Sequence, residues 1–316
     1  MEAIGGYFEL ELKQSSHYHS EAIKLNTARN CFEYILRAKQ YKKVYMPFYT
    51  CEVMLEPIRK LNIKYEFYSI NEQLDPVFKK ELQADEAFLY TNYFGLKQKS
   101  VEILAKKIGN NLIIDNAQAF FAKPIDGIDT FYSARKFFGV ADGAYLYTNT
   151  VLPDCFEQDI SFNRMSHLLK RVDIGAELAY DDFKKNDNTL VSQPIKLMSK
   201  LTDKILSGID YEYIKQIRLK NFIYLHSVLK SKNLLHIKNI SNSVPMVYPY
   251  YTEKENIRQK LLENKIYTAT YWPNTSEWCS ENQIEKKLAK MIIPLPIDQR
   301  FEKKTMEFIV SNIKHL

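Results

Sequence analysis

The sequence predicts an α/β fold: a mostly parallel central sheet flanked by helices, followed by a smaller C-terminal α+β domain. Three observations carry this expectation. Between about residues 26 and 150, short apolar runs alternate with helical patterns, as crossovers between parallel strands require. After about residue 208 the texture changes to a long helical pattern and isolated strands, which divides the chain into a large domain over 1–207 and a small one over 208–316. At 316 residues, 46% of them apolar, there is enough chain and enough core for both.

The elements follow in order. A first helix is expected over roughly 26 to 40. "KVYMPFYT" reads as a strand, and Val53, Met54, Pro57, Ile58 and Leu61 then recur at near-helical spacing. "IKYEFYSI", "AFLYTNYF" and "NLIIDNA" are further strands, the last two separated by the amphipathic "SVEILAKKIG", which Gly109 stops. "GIDTFYSA" and "GAYLYTN" flank a lysine-containing segment. Residues 163 to 207 read as helices with polar loops such as "KKNDN". In the small domain, a helix over 210 to 231 leads to the strand "VPMVYPYY", a helix near 253 to 264, the stretch "KIYTATYWP", and "MIIPLP" before a terminal helix.

Composition narrows the classes of function. The formal charge of +6, from 44 basic and 38 acidic residues, is modest, and the basic residues are scattered; this suits an anionic small substrate and does not argue for nucleic acid. No apolar run is long enough to span a bilayer. The four cysteines are far apart with no CxxC pair, and no secretory leader is expected, so a reducing, cytoplasmic setting is the default. His17 and His19 are the one close histidine pair, and they lack cysteine or carboxylate partners at ligand spacing, so no metal site is expected.

Three stretches carry chemistry together. "LNTARN" opens the first helix, where Thr27 and the following backbone N–H groups either hold a phosphate or simply cap the helix. "IIDNAQA" puts Asp115 at the carboxyl end of a strand, where open α/β sheets gather their ligands, although a strand-end aspartate also serves as a loop cap. Lys136, with Ser133 three residues before it, stands among Phe137, Phe138, Val140 and Ala141, a setting expected to bury it and disfavour its charge. A phosphate cradle, a strand-end carboxylate and a lysine amine are what pyridoxal 5'-phosphate needs: an anchor, a partner for the pyridine nitrogen, and a nucleophile for the aldehyde.

With "IGGYF", "YMPFYT", "YTNYFG", "KFFGVADGA", "NRMSHL" and "IIPLPID" added in the same order, the chain resembles the DegT/DnrJ/EryC1/StrS sugar aminotransferases, which are fold-type I pyridoxal phosphate enzymes. The resemblance spans nearly the whole chain. It implies that Lys136 carries the cofactor's aldehyde, Asp115 binds the pyridine nitrogen, Gln118 contacts the ring's phenolic oxygen, and Thr27, Ala28 and Ser133 hold the phosphate. Asn163, or Arg164 under a one-residue shift, would reach the neighbouring subunit's phosphate across a homodimer interface. The implied reaction moves an amino group from an amino-acid donor, glutamate, to a nucleotide-linked keto sugar for surface polysaccharide or amino-sugar biosynthesis. A sugar dehydratase is disfavoured, because family members of that kind replace the lysine with histidine. The chain departs from the family in several places. Cys51 occupies the position where an aromatic residue stacks on the cofactor, Phe131 stands where many members place a phosphate serine, and the lysine loop is one residue shorter. These departures motivate a second reading, a pyridoxal phosphate-binding regulator without turnover. Tyr271 and Trp272 are open between stacking on substrate and packing in a core.

Overall fold

A computed structural model describes residues 4–237 and 243–314. The chain runs through β1 (Ile23–Leu25), α1 (Ala28–Lys39), β2 (Lys43–Pro47), α2 (Leu55–Lys60), β3 (Lys64–Ile70), β4 (Pro76–Val77), β5 (Glu86–Thr91), α3 (Gln98–Ile108), β6 (Leu112–Asp115), β7 (Asp129–Ser133) and β8 (Ala144–Tyr147). These eight strands form one sheet in the order β1-β8-β7-β6-β5-β2-β3-β4. Four of its pairings, β2 with β3 and β5, and β6 with β5 and β7, are parallel; the pairings of β8 with β1 and β7, and of β3 with β4, are antiparallel.

The central strands are buried on both faces, which is why they read as continuous apolar runs. Along β5 and β6, Phe88, Tyr90, Leu112 and Ile114 pack on one side with Leu104 of α3. Ala87, Leu89 and Ile113 pack on the other with Phe32 and Ile35 of α1. Helix α1 is delimited by its ends. Thr27 is extended and its hydroxyl accepts from the Asn30 N–H, while Gln40 closes the helix in the left-handed conformation with its N–H on the Leu36 carbonyl.

Helices α4 (Ser166–Asp173), α5 (Ala176–Thr189) and α6 (Lys200–Ser207) follow the sheet, and α7 (Tyr211–Leu229) leads to β9 (Val247–Tyr251). Then come α8 (Ile257–Glu263), α9 (Thr275–Trp278), α10 (Ile284–Met291), β10 (Ile292–Pro296) and α11 (Lys303–Lys314). Strands β9 and β10 form a separate antiparallel pair, and Tyr248, Ile293 and Leu295 share a core with Phe222 and Leu225 of α7 and Ile309 of α11. One expectation is corrected here: "KKNDN" is not a loop but lies within α5. Its polar residues have tertiary employment, since the buried Asn186 amide donates to the Ala141 carbonyl at 3.1 Å and Asp187 pairs with Arg135. The short β1 and β4 have no counterpart in the sequence reading, because two or three residues are too few to display a period; the eight-residue α10 has none either.

Candidate active site

Asp115 ends β6 and is 5% exposed. One carboxylate oxygen accepts from the Ala117 N–H at 2.8 Å and the other faces the Thr91 hydroxyl at 3.5 Å. Burial pushes the carboxyl above its ordinary range, opposed by the Ala117 N–H and by the charge of Lys136. Gln118, in the turn that follows, is buried; its Oε1 accepts from the Phe94 N–H at 2.8 Å, whereas its Nε2 is a buried donor with no partner. The approach of this turn to the end of β5 depends on Gly95. That residue has φ +74°, and a Cβ there would come within 3.1 Å of the Gln118 carbonyl.

The backbone ties together the segments that flank the candidate phosphate position. Ala134 N–H donates to the Gly143 carbonyl at 3.1 Å, and Gly143 N–H donates to the Asn26 carbonyl at 2.6 Å, so the exit of β7 and the turn before α1 are tied to one residue. Gly143 has φ +111°, and a Cβ would lie 2.9 Å from the Thr202 methyl, so glycine is required. Thr27 spends its hydroxyl on Asn30, accepting from the backbone N–H and donating to the side-chain oxygen. The N–H groups of Ala28 and Arg29, in the first turn of α1, remain the natural anion donors of this helix end. Ser133 is buried at the end of β7 and makes no capping bond to the short turn it precedes.

Lys136 departs from expectation. Its apolar neighbours Phe137, Phe138, Val140 and Ala141 are buried, but Lys136 itself is exposed. The segment Ala134–Lys136 is a single 3-10 turn, which turns the apolar side chains into the core around Phe120 and leaves the lysine outside it. Its ammonium lies 5.6 Å from the centre of the Tyr271 ring. Asn163 is exposed, while Arg164 is held by Asp159 at 2.7 Å with both side chains largely buried. Cys51 is half-buried and packs between the cores on the two faces of the sheet.

Two residues near the candidate site, Asp142 and Asn26, escaped the sequence reading, and a third, Tyr271, was read only as open between substrate stacking and core. Asp142, wholly buried, accepts from the Ser199 N–H at 2.8 Å, the Ser199 hydroxyl at 2.7 Å and the Thr202 hydroxyl, and so fastens the lysine segment to the start of α6. Asn26 holds the turn before α1, accepting from Thr27 N–H on its side-chain oxygen at 3.1 Å. Tyr271, half-buried, faces Lys136, whereas its neighbour Trp272 belongs to the core. Of the three, only Asp142 carried a local signal, an aspartate directly before a glycine.

The fold recurs in solved structures. Over 93% of its length, the chain superposes on 85% of the aminotransferase TlmJ from Streptoalloteichus hindustanus, with a TM-score of 0.65 at 13% identity. It matches 87% of the sugar aminotransferase CalS13 from Micromonospora echinospora with a TM-score of 0.63 at 12% identity. It also matches 73% of NtdA from Bacillus subtilis, a structure with its cofactor PMP bound, at a TM-score of 0.63 and 15% identity. The chain has their fold. That is the fold-type I architecture the sequence predicts. No family model and no curated protein matches the chain.

Proposed function

We propose that the chain is a pyridoxal phosphate-dependent aminotransferase of the DegT/DnrJ/EryC1/StrS kind, acting on a nucleotide-linked keto sugar with glutamate as amino donor. The observation that carries the reading is the meeting of Asp115 and Gln118, from the end of β6 and the turn after it, with Lys136, from the segment after β7, at the carboxyl edge of one sheet, with a buried Gln118 Nε2 donor left without a partner. Such a donor is costly unless a ligand accepts from it, and a phenolic oxygen of the cofactor is an acceptor of the right kind. The residues therefore fit the group.

Pyridoxal phosphate, when bound, supplies an aldehyde and a ring that can take up an electron pair as an amino group moves. Asp115 holds a proton at the ring nitrogen. Its carboxylate form is favoured by the Ala117 N–H and Lys136, against the burial that opposes it. Gln118 donates to the phenolic oxygen and fixes the ring's orientation. The Ala28 and Arg29 N–H groups, with Ser133, bind the phosphate. The Lys136 amine, when not covalently engaged, would serve as the base that takes a proton from the carbon bearing the donor's amino group.

In this reading residues 1–207 bind the cofactor, 208–316 form the smaller domain, and the enzyme works in the cytoplasm on surface polysaccharide or amino-sugar precursors. It is a homodimer with shared sites, supported by the exposed Phe162, Leu169, Val172, Leu178 and Tyr180 near Asn163. No helix among the described residues is long and apolar enough to cross a membrane.

Borohydride reduction of protein supplied with pyridoxal phosphate should attach the cofactor at Lys136, as read by peptide mapping, and glutamate should bleach the visible absorption before reduction. Labelling elsewhere, or nowhere, sinks the reading. Labelling at Lys136 with no response to any common amino acid favours the regulator instead. For the shared site, inactive Lys136→Ala and Asn163→Ala proteins should regain activity on mixing, up to one working site per mixed dimer. Asn163→Ala is preferred to a change at Arg164, which would strand Asp159. No rescue in mixtures that contain heterodimers would count against the shared site.

A further inference from the structure

The Lys136 ammonium stands over the ring of Tyr271 at 5.6 Å, within the ~6 Å at which a cation is drawn to an aromatic face. Tyr271 comes from the stretch between α8 and α9, which is pinned on both sides. Arg258 of α8 donates to the Thr268 hydroxyl at 3.2 Å and the Ala269 carbonyl at 2.9 Å, and Asn274 donates to the Thr50 carbonyl at 3.0 Å. Trp272 is buried against Tyr49, with ring centres 4.9 Å apart. The Tyr271 ring also meets Phe94, whose N–H holds Gln118. A flexible, exposed lysine thus faces a ring that has little freedom to move.

We infer that Tyr271 is a positioning residue for Lys136: its ring face is the seat on which the free ammonium rests whenever the lysine is not covalently engaged. The importance of that seat rests on the role given to Lys136 above; the contact itself does not. Through it, a loop of the C-terminal part of the chain acts on an amine in the segment between β7 and β8. The groups that face this amine are few. Asp115 acts on it from the end of β6, and Tyr271 acts on it from the loop, with the Cys51 thiol beside the phenol. Arg135, next in the chain, is turned to Asp187. A ring's negative face attracts an ammonium and holds it in place, so removing that face leaves the lysine freer to meet a reagent.

The test uses the cofactor-free protein and measures labelling of Lys136 by limiting acetic anhydride at one pH, with the exposed Lys106 as internal reference. Tyr271→Phe should leave the Lys136 rate near that of the native chain. Tyr271→Leu should raise it about threefold, and so should pentafluorophenylalanine in place of Tyr271, because fluorination reverses the ring's charge distribution without changing its shape. If Tyr271→Leu does not fold, the phenyl and fluorinated rings decide the matter between them. Equal labelling with those two rings overturns the inference. Attachment of cofactor by borohydride is measured separately, so failure of the enzymatic reading and failure of this one are told apart.

Discussion

Two parts of the candidate site are built in opposite ways. The turn after β6, from Asp115 to Phe120, is sealed: Asp115 and Gln118 are buried, their accepting oxygens are met by backbone N–H groups, and Phe120 is wholly buried. The lysine segment is anchored at its far end by Asp142, yet Lys136 is exposed and Arg135 ends in an ion pair with Asp187, whose side chain is half-exposed. On the proposed function, the difference matches what each part would be asked to do. A group that fixes the charge of a bound ring gains from a rigid, desolvated place, whereas an amine that must form and release a covalent bond needs freedom.

The contrast can be broken first at Asp115. Asp115→Ala should lower turnover by on the order of 10²–10³-fold, as loss of a preorganised charge at a reacting group does, while much of the cofactor stays attached at Lys136. Steady-state kinetics beside borohydride labelling reads both, and an unchanged kcat would return Asp115 to the role of a loop cap.

The sealed half should also be the acid-sensitive half. His19 supports it from behind: a carbonyl can only accept, so Nε2 carries the proton that goes to the Phe120 carbonyl at 2.7 Å, and Nδ1 accepts from the Tyr147 hydroxyl at 3.2 Å. Burial lowers its pKa from 6.5 to about 4. As pH falls through that window the unfolded chain takes up the proton first, so the stabilisation present above pH 6.5 is progressively lost and is gone below about 4. Lowering from 6.5 to about 4 corresponds to about 3 kcal/mol. The difference between denaturant midpoints of the native chain and His19→Gln, followed from pH 7 to 4, should trace this loss; parallel profiles would remove His19 from the account.

The smallest effect belongs to the exposed half. Arg135→Ala breaks a pair whose aspartate is 48% exposed, and its cost should stay under about 1 kcal/mol in the same denaturation assay. A loss as large as that at His19 would show that the lysine segment is as rigidly held as the turn after β6, and the contrast would dissolve.

The sequence by itself determined the alternation of strands and helices, the strand end that carries Asp115, and the order in which Thr27, Asp115, Gln118 and Lys136 arrive. These are consequences of local periodicity and of short-range spacing, and both survive without knowledge of partners. What lies on the lysine did not follow from its neighbours: Lys136, at the end of the 3-10 turn Ala134–Lys136, is exposed, while Phe137 and Phe138 just after the turn are buried. The polar run inside α5 misled for a related reason, since Asn186 is spent on a carbonyl 45 residues away. Asp142 finds Ser199 at a separation of 57, and Asn274 finds Thr50 at 224. Only the tertiary structure decided those pairings, and with them the meeting of Tyr271 and Lys136. A side chain's partner across the chain is set by how whole elements pack, and no local pattern of residues encodes that distance.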